Sequence, residues 1–214
     1  AEPLTAIHDT LSAWSNLLQE RNRLSNEAEL GLVGELWFLA HLAKGMGWSR
    51  SIEQWRGPEA EEHDFSLPRV DIEVKTTLRE KRHHMIGSLT QMIPSPSRPL
   101  FVVSIQLTST TKGETGAMWL PAMIEELRVN VRAGGPGTAS CLESLLEDLN
   151  WRDEDQDLYS QRFRLRSEPT LIPVDTAFPA LVPDLLNVLG DLANKVLHVQ
   201  YRVDLDGMGY ELRT

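Results

Sequence analysis

Cysteine is almost absent from this sequence, which contains only Cys141 in 214 residues. One cysteine cannot form a disulfide within the chain, and it excludes a zinc site built from several cysteines. Long hydrophobic runs are absent as well. The most apolar stretch, GLVGELWFLAHLA, is too short to span a membrane and contains Glu35. No segment resembles a signal peptide, so we expect a cytoplasmic protein that does not enter a membrane.

Basic residues are outnumbered by acidic ones: the chain has 31 aspartates and glutamates and 21 lysines and arginines, a net charge of −10. Taken alone, this charge argues against nucleic-acid binding, since phosphates attract basic surfaces. The excess is local, however. Residues 143–157, ESLLEDLNWRDEDQD, contain seven acidic residues and one basic residue, a net charge of −6. The remainder of the chain therefore leaves room for a basic face.

Hydrophobic periodicity predicts a chain of mixed helices and strands. Apolar residues recur at helical spacing over residues 4–22, and a second helix is predicted from Ser25 to about Lys44, with Gly45 and Gly47 as stop signals. Further helices are predicted over 118–129 and 138–150. Strands are predicted over 51–56, 62–66, 69–77, 100–108, 162–166, 171–174 and 196–206. This order is typical of an α/β or α+β fold.

The strand predicted over residues 69–77 has two chemically different faces. Because side chains alternate along a strand, its apolar residues share one face and its charged residues share the other. The apolar set is Val70, Ile72 and Val74, and the charged set is Asp71, Glu73 and Lys75. A half-exposed strand with a solvated polar face would show the same alternation. The pattern alone therefore leaves a structural and a functional interpretation open.

The sequence SLPR at residues 66–69 predicts a turn that joins two strands into a hairpin. With a tight turn, we expect Asp64 to lie about opposite Asp71 and diagonal to Glu73, within about 5–8 Å. Three carboxylates at this spacing repel one another unless a cation lies between them. Lys75 supplies one positive charge, and a hard divalent cation such as Mg²⁺ would supply more.

Glu35 lies at the centre of an apolar face of the second predicted helix. A buried carboxylate requires a cation or hydrogen-bond donors. One interpretation is a structural ion pair with a nearby arginine or lysine. The other is that Glu35 points towards the carboxylates of the hairpin and helps to hold a metal ion or water.

These motifs resemble the PD-(D/E)XK nuclease superfamily, whose signature is an acid on one strand and (D/E)-x-K on the next. The segments GLVGELWFL, WRGP, HDFSLP, IEVKTT and HMIGSLTQM, within residues 31–92, are more narrowly similar to a bacterial PD-(D/E)XK family associated with defence and restriction genes. The resemblance implies a restriction-endonuclease-like α/β fold: helix, three-strand meander, helix and strand, around a mixed central sheet. The segment between Thr77 and Leu100 is short for the second helix, and SLTQM is its expected helical turn.

The resemblance also implies a division of the chain and the roles of its residues. We expect an N-terminal helix of the same domain over 1–24, a nuclease-like core over 25–130, and an acidic helix with a β-rich extension over 131–214. Asp64 and Glu73 would bind Mg²⁺ or Mn²⁺, with the Val74 carbonyl as a further ligand. Lys75 would orient or deprotonate the attacking water, and Glu35 would support a second metal ion or its waters.

Further residues are assigned from the family's pattern and from local charge. The family's pattern adds His84, Ser88 and Gln91 as further site residues, and the basic run containing Arg79, Lys81 and Arg82 could approach a DNA backbone. His63 stands where the signature has proline, and Asp71 shares the strand face with Glu73, so the choice between Asp64 and Asp71 as the first acid stays open.

The function that the resemblance implies is a metal-dependent DNA endonuclease, hydrolysing phosphodiester bonds as one component of a bacterial restriction or defence system. Its expected partners are DNA and other proteins of that system, and a dimer is compatible with the sequence. The alternative is a non-catalytic subunit that keeps the nuclease fold as a scaffold. The net charge of −10 and the acidic residues 143–157 favour that alternative, since such a surface suits a protein partner better than DNA.

Overall fold

The structure is a computed structural model that describes residues 23–57 and 63–212, together with Ile7, Thr10, Leu11 and Trp14. The helix predicted over 4–22 lies outside the described residues, apart from those four, which are helical. The α-helices are α1 (Asn26–Met46), α2 (Trp48–Gln54), α3 (Leu120–Arg132) and α4 (Pro136–Asp148), and 3₁₀ segments cover Asp153–Leu158 and Pro183–Lys195. The strands are β1 (Phe65–Leu67), β2 (Val70–Thr77), β3 (His83–Ile86), β4 (Leu100–Ser109), β5 (Phe163–Leu165), β6 (Thr170–Pro173), β7 (Tyr201–Asp204) and β8 (Tyr210–Glu211).

A mixed sheet in the order β1-β2-β4-β6-β8 forms the centre of the fold, and β5 pairs with the end of β4. The hairpin β1–β2 is antiparallel, β2 and β4 run parallel, and β6 returns antiparallel to β4. Strands β3 and β7 form a separate antiparallel pair, here called the ribbon. The expected mixed α/β fold with a central mixed sheet is confirmed. Strands from the C-terminal part of the chain extend this sheet.

Helix α1 begins and ends where the sequence predicts. The Ser25 hydroxyl accepts a hydrogen bond from the Ala28 N–H (3.1 Å), which satisfies one of the free donors of the first turn. The helix stops at Gly47, whose φ of +83° is a conformation that glycine adopts without strain. Among the helices in the described part of the chain, none combines the length and apolarity that a membrane span requires.

Two apolar clusters cover the opposite faces of the central sheet. The larger packs helices α1 to α4 against one face, where Val103 and Ile105 of β4 are fully buried. The smaller joins Val102 of β4 to Ile86 and Val203 of the ribbon. Strand β4 is therefore buried on both faces, as its continuous apolar sequence predicts. The second cluster fixes the ribbon to the sheet.

Several predicted elements differ from the structure. Residues 51–54 belong to helix α2 instead of a strand, because Ile52 and Trp55, spaced by three, lie on one side of a helical turn and are both buried. Within the strand predicted over 51–56, only Trp55 forms a β-bridge, to Phe65. Residues 78–99 contain strand β3 and no helix, and SLTQM forms a hydrogen-bonded turn instead. The strand predicted over 196–206 is shorter, at Tyr201–Asp204, and a 3₁₀ segment precedes it.

Candidate active site

The β1–β2 hairpin brings Asp64 opposite Glu73. The observed pairs are Phe65 with Ile72 and Leu67 with Val70, so the same register, continued by one pair, puts Asp64 opposite Glu73. The sequence predicted Asp71 as the partner. That prediction was wrong because the turn lies at residues 68–69, one position later than assumed, which shifts the register by two residues.

Asp64 is held at the start of β1 by backbone groups from two directions. Its Oδ2 accepts a hydrogen bond from the Val74 N–H (2.7 Å), and its carbonyl accepts one from the Arg56 N–H (2.8 Å). Burial raises the pKa of the Asp64 carboxyl to about 8, and the neighbouring Glu73 adds to the rise, while the Val74 hydrogen bond and Lys75 oppose it. The carboxyl group is thus fixed in place although its charged form is disfavoured there.

Glu73 is buried on the same side of the hairpin and is in contact with one cation and one amide. Its Oε1 lies 2.8 Å from Lys75 Nζ and accepts a hydrogen bond from Gln91 Nε2, also at 2.8 Å. Burial raises the pKa of Glu73, and the Lys75 charge opposes this rise. Lys75 is therefore the cation that helps to hold Glu73 in its ionised form.

Helix α1 places Glu35 against the same carboxylates. The helix crosses β2 closely at Gly34, where a Cβ atom would overlap the Thr76 hydroxyl. Glu35 Oε2 accepts a hydrogen bond from Trp55 Nε1 (2.9 Å), and a Cβ on Gly57 would lie 2.6 Å from that oxygen. Gly34 thus allows the close approach of α1 to β2, and Gly57 leaves the space in which the Glu35 carboxylate lies.

The electrostatics of Glu35 link it to the hairpin. Burial raises its pKa to about 8, and the charge of Asp64 raises it further, while the Trp55 hydrogen bond and Lys75 lower it. Glu35, Asp64 and Glu73 therefore interact as one coupled set, in which each ionised carboxylate disfavours ionisation of the next. This arrangement favours the interpretation in which Glu35 points towards the carboxylates of the hairpin.

The donor atoms of this set suit a hard divalent cation, which prefers carboxylate and carbonyl oxygens. The Val74 N–H points towards Asp64, and the N–H and C=O of a strand residue point to the same side, so the Val74 carbonyl also faces the Asp64 side of β2. The oxygens are not gathered at one point: the described residues contain no group of three or more His, Cys, Asp or Glu side chains positioned to hold a metal ion. Hydrogen bonds from Val74, Lys75 and Gln91 hold the carboxylates instead.

Asp71 shares the strand face with Glu73 but has different neighbours. Arg98 NH2 lies 3.1 Å from Asp71 Oδ1, and the hydroxyls of Ser66 and Ser95 donate hydrogen bonds at 3.2 and 3.0 Å. The Asp71 carboxylate therefore has a cation and two donors of its own. This environment is typical of a structural ion pair.

The further site residues lie at different depths around Glu73 and Lys75. Gln91 contacts Glu73 directly, and the Ser88 hydroxyl accepts a hydrogen bond from the Gln91 N–H (3.0 Å), so Ser88 supports the loop that carries Gln91. His84 is buried, and its Nε2 lies 2.7 Å from the Ser104 hydroxyl. Burial lowers the pKa of His84 to about 3, and the charges of Lys75 and Arg82 lower it as well. His84 is therefore a neutral neighbour of Lys75.

The basic run splits between the surface and the interior. Arg79 and Lys81 are exposed, as a contact with DNA requires. Arg82 is buried and donates hydrogen bonds to the Ser104 and Glu168 carbonyls at 2.8 and 2.6 Å. The expectation that Arg82 faces DNA therefore does not fit the structure, because its guanidinium group joins the central sheet to the chain after β5.

One residue near the site was not assigned from the sequence. His63 is buried, its Nδ1 lies 3.9 Å from Glu73 Oε2, and neither ring nitrogen has a hydrogen-bond partner among the described residues. The sequence singled it out only as the residue in the place of proline before Asp64. Its position in the hairpin, one residue before the acid, was the available signal.

A mixed sheet whose hairpin brings an aspartate beside Glu-x-Lys, with a helical glutamate against it, is the arrangement of a PD-(D/E)XK nuclease-like fold. The chain belongs to the family described as "Putative PD-(D/E)XK family member, (DUF4420)", whose sequence model matches residues 1–206. No curated protein and no solved structure gave a significant match. The resemblance drawn from the motifs is thereby confirmed at the level of the family.

Proposed function

We propose that the protein is a divalent-metal-dependent DNA endonuclease that hydrolyses phosphodiester bonds as part of a bacterial restriction or defence system. The observation that carries this proposal is a set of three electrostatically coupled carboxyl groups, the buried Glu73 and the half-buried Glu35 and Asp64, beside Lys75. Repulsion among three ionised carboxylates would destabilise the fold, and a bound cation would remove that repulsion. Membership of a PD-(D/E)XK family supports the same reaction.

The residues have separate roles in this proposal. Asp64, Glu73 and the Val74 carbonyl would hold Mg²⁺ or Mn²⁺, and Glu35 would hold a second ion or bind its waters. Such an ion, when bound, supplies positive charge to the phosphate and makes water more acidic. Lys75, a cation beside Glu73, orients the attacking water and stabilises the negative charge that develops on the phosphate oxygens. Arg79 and Lys81 lie at the surface, where they would contact the DNA backbone.

Plasmid cleavage tests the assignment. We expect nicking or linearisation of supercoiled DNA in Mg²⁺ or Mn²⁺, and a loss of about 10²- to 10³-fold in rate for both Glu73→Ala and Lys75→Ala, since each removes a charge from the reacting centre. Arg132→Ala, which alters an exposed residue at the end of α3, is the matched control and should cleave like the wild type. Cleavage that survives both site substitutions would exclude this site.

The scaffold alternative also has structural support. The carboxylates are held by hydrogen bonds and no ready-made metal group exists among the described residues, while the exposed surface of α4 and the following 3₁₀ segment is acidic. Isothermal titration calorimetry with Mn²⁺ separates the two functions. An endonuclease binds the ion in the wild type and binds it more weakly in Asp64→Asn, whereas a scaffold shows no binding in either protein.

A further inference from the structure

The Lys75 side chain lies at an open cleft, and the ribbon forms one wall of it. The walls come from the end of β2, from the first turns of α1, and from the ribbon, whose strand β7 is remote in sequence from both. The polar and charged residues that matter here are Glu27, Lys75, Arg79, His83, Gln200 and Arg202. The C-terminal part of the chain thus reaches the candidate active site through β7.

The pairing of the ribbon decides which of its side chains face outward. His84 pairs with Val203 and Met85 with Arg202, so cross-strand partners share a face. His84 and Val203 are buried, whereas Met85 and Arg202 are exposed. Because the smaller apolar cluster holds the inner face against the sheet, the outer face with Met85 and Arg202 is a fixed surface beside the cleft.

The charge of the cleft is positive although the chain is acidic. Arg79 and Arg202 are exposed and form no ion pair within the described part of the chain. The acid at the ribbon's edge, Asp204, has a partner within the ribbon, because its Oδ2 lies 3.2 Å from His83 Nε2. Glu27, at the start of α1, is the one acidic residue among the described residues that line the cleft. An exposed guanidinium with no acidic partner on a cleft wall suits a phosphate oxygen.

We propose that the ribbon is the DNA-contacting wall of this cleft, and that Arg202 binds a backbone phosphate that flanks the one bound at Lys75. This inference rests on the proposed function and extends it to a residue outside the PD-(D/E)XK motif. Duplex DNA is the partner of choice because its major groove admits a two-stranded ribbon, whereas the major groove of duplex RNA is too narrow for side chains to read.

Binding measurements test the ribbon separately from catalysis. Fluorescence anisotropy with a labelled DNA duplex, in EDTA in one series and in Ca²⁺ in another, gives the affinity as a function of salt. We expect Arg202→Gln to weaken binding several-fold at all sequences and to reduce the slope of log K against log salt by about 1, since one phosphate contact is lost. Glu27→Gln should tighten binding, and Arg132→Gln, at an equally exposed arginine outside the cleft, should leave it unchanged.

The outcomes distinguish the two levels of the proposal. If the wild type binds and cleaves DNA but Arg202→Gln behaves like Arg132→Gln, the ribbon is not the wall and the endonuclease proposal stands. If the wild type binds no DNA at low salt in either series, the endonuclease proposal fails and the ribbon proposal fails with it. Duplex RNA of the same length that binds as tightly as DNA would overturn the choice of DNA. Melting temperatures of the two arginine variants should match the wild type, because both residues are exposed and form no ion pair in the described part of the chain, and that of Glu27→Gln should fall only slightly, since it removes one charge from the first turn of α1.

Discussion

Asp71 and Glu73 lie two residues apart on one face of β2, and both side chains are almost fully buried. Their surroundings differ. Asp71 has Arg98 and two serine hydroxyls directed at its oxygens. Glu73 shares its region with Asp64 and Glu35, whose charges oppose ionisation within the set, and has Lys75 and Gln91 as partners.

The difference shows that two carboxylates on one strand face can have opposite electrostatic surroundings. At Asp71 each charge and donor is matched, so the cluster stabilises the turn region where β1, β2 and the loop before β4 meet. At Glu73 three carboxyl groups lie near one lysine, so ionising all three costs stability unless a further cation binds. A buried excess of one charge sign marks a binding or catalytic site better than burial alone does.

Exchanging each carboxylate for its amide gives the largest expected contrast. Asp71→Asn should lower the free energy of unfolding by about 2 kcal/mol. This is below the cost of about 3–5 kcal/mol for breaking a fully buried pair, because water can still reach Arg98, whose side chain is 36% exposed. At pH 9, where Glu35 and Asp64 are also ionised, Glu73→Gln should not lower the unfolding free energy, since it removes one of three repelling charges. Urea denaturation in EDTA measures both.

The effects of the two substitutions on DNA cleavage should be the reverse of their effects on stability. Asp71→Asn should retain most of its activity per folded molecule, whereas Glu73→Gln should lose it. Arg98→Met is a useful companion, because it leaves the Asp71 carboxylate buried without a cation and should cost more stability than Asp71→Asn. Equal destabilisation by Asp71→Asn and Glu73→Gln would show that the two carboxylates do not differ in the way proposed.

Much of this site could be predicted because its signals are local. Alternation along β2 puts Glu73 and Lys75 on one face, and helical periodicity puts Glu35 at the centre of an apolar one. The register of Asp64 was less accessible, because moving a two-residue turn by one position changes the opposite residue from Asp71 to Glu73. Sequence alone could not decide that position.

Other features depend on contacts remote in sequence and could not be predicted. Strand β3 has only the four residues HHMI and pairs with β7, more than a hundred residues later, so the sequence offered no partner for the strand predicted over 196–206. Arg82 lies in a charged run that suggests a solvated loop. It is buried because the Ser104 and Glu168 carbonyls and the Ser104 and Ser167 hydroxyls come together around it only in the folded chain.

The excess of carboxylates should make the metal-free protein less stable at high pH. The pKa values of Glu35 and Asp64 are about 8 in the native state and about 4 in an unfolded chain. Between these values the native state binds more protons, so stability is fully present below about pH 4 and falls as the pH rises through 8. We expect the melting temperature in EDTA to fall by several degrees from pH 7 to pH 9.

The range above pH 7 isolates the carboxylates from His84, whose unfolded pKa is about 6.5 and whose native pKa is lower. Glu35→Gln should flatten the dependence, and Glu147→Gln, at an exposed position on α4, should not. Mn²⁺ should also reduce the fall by binding the ionised carboxylates. A melting temperature that is equally pH-dependent in wild type and Glu35→Gln would argue against the coupled set.

The smallest effect on cleavage is expected from changing Gln91. This residue marks a further difference between the two carboxylates, since an amide orients Glu73 whereas hydroxyls and a guanidinium orient Asp71. Both ends of the Gln91 amide are engaged, since Nε2 donates to Glu73 and Oε1 accepts from the Gly87 N–H (2.8 Å). Gln91→Met should lower the cleavage rate about tenfold and raise the Mg²⁺ concentration needed for half-maximal rate, because residues behind a ligand typically contribute about 10- to 100-fold.

Gln91→Glu supplies the decisive comparison, because it keeps the size of the side chain and adds a fourth negative charge beside Glu73. In the absence of Mg²⁺ at pH 9, Gln91→Glu should lower the melting temperature more than Gln91→Met does. Its melting temperature should rise again as the pH falls, since the protonated carboxyl can donate a hydrogen bond to Glu73. If Gln91 only filled space, the two variants would show the same Mg²⁺ dependence as the wild type and differ from each other only in melting temperature.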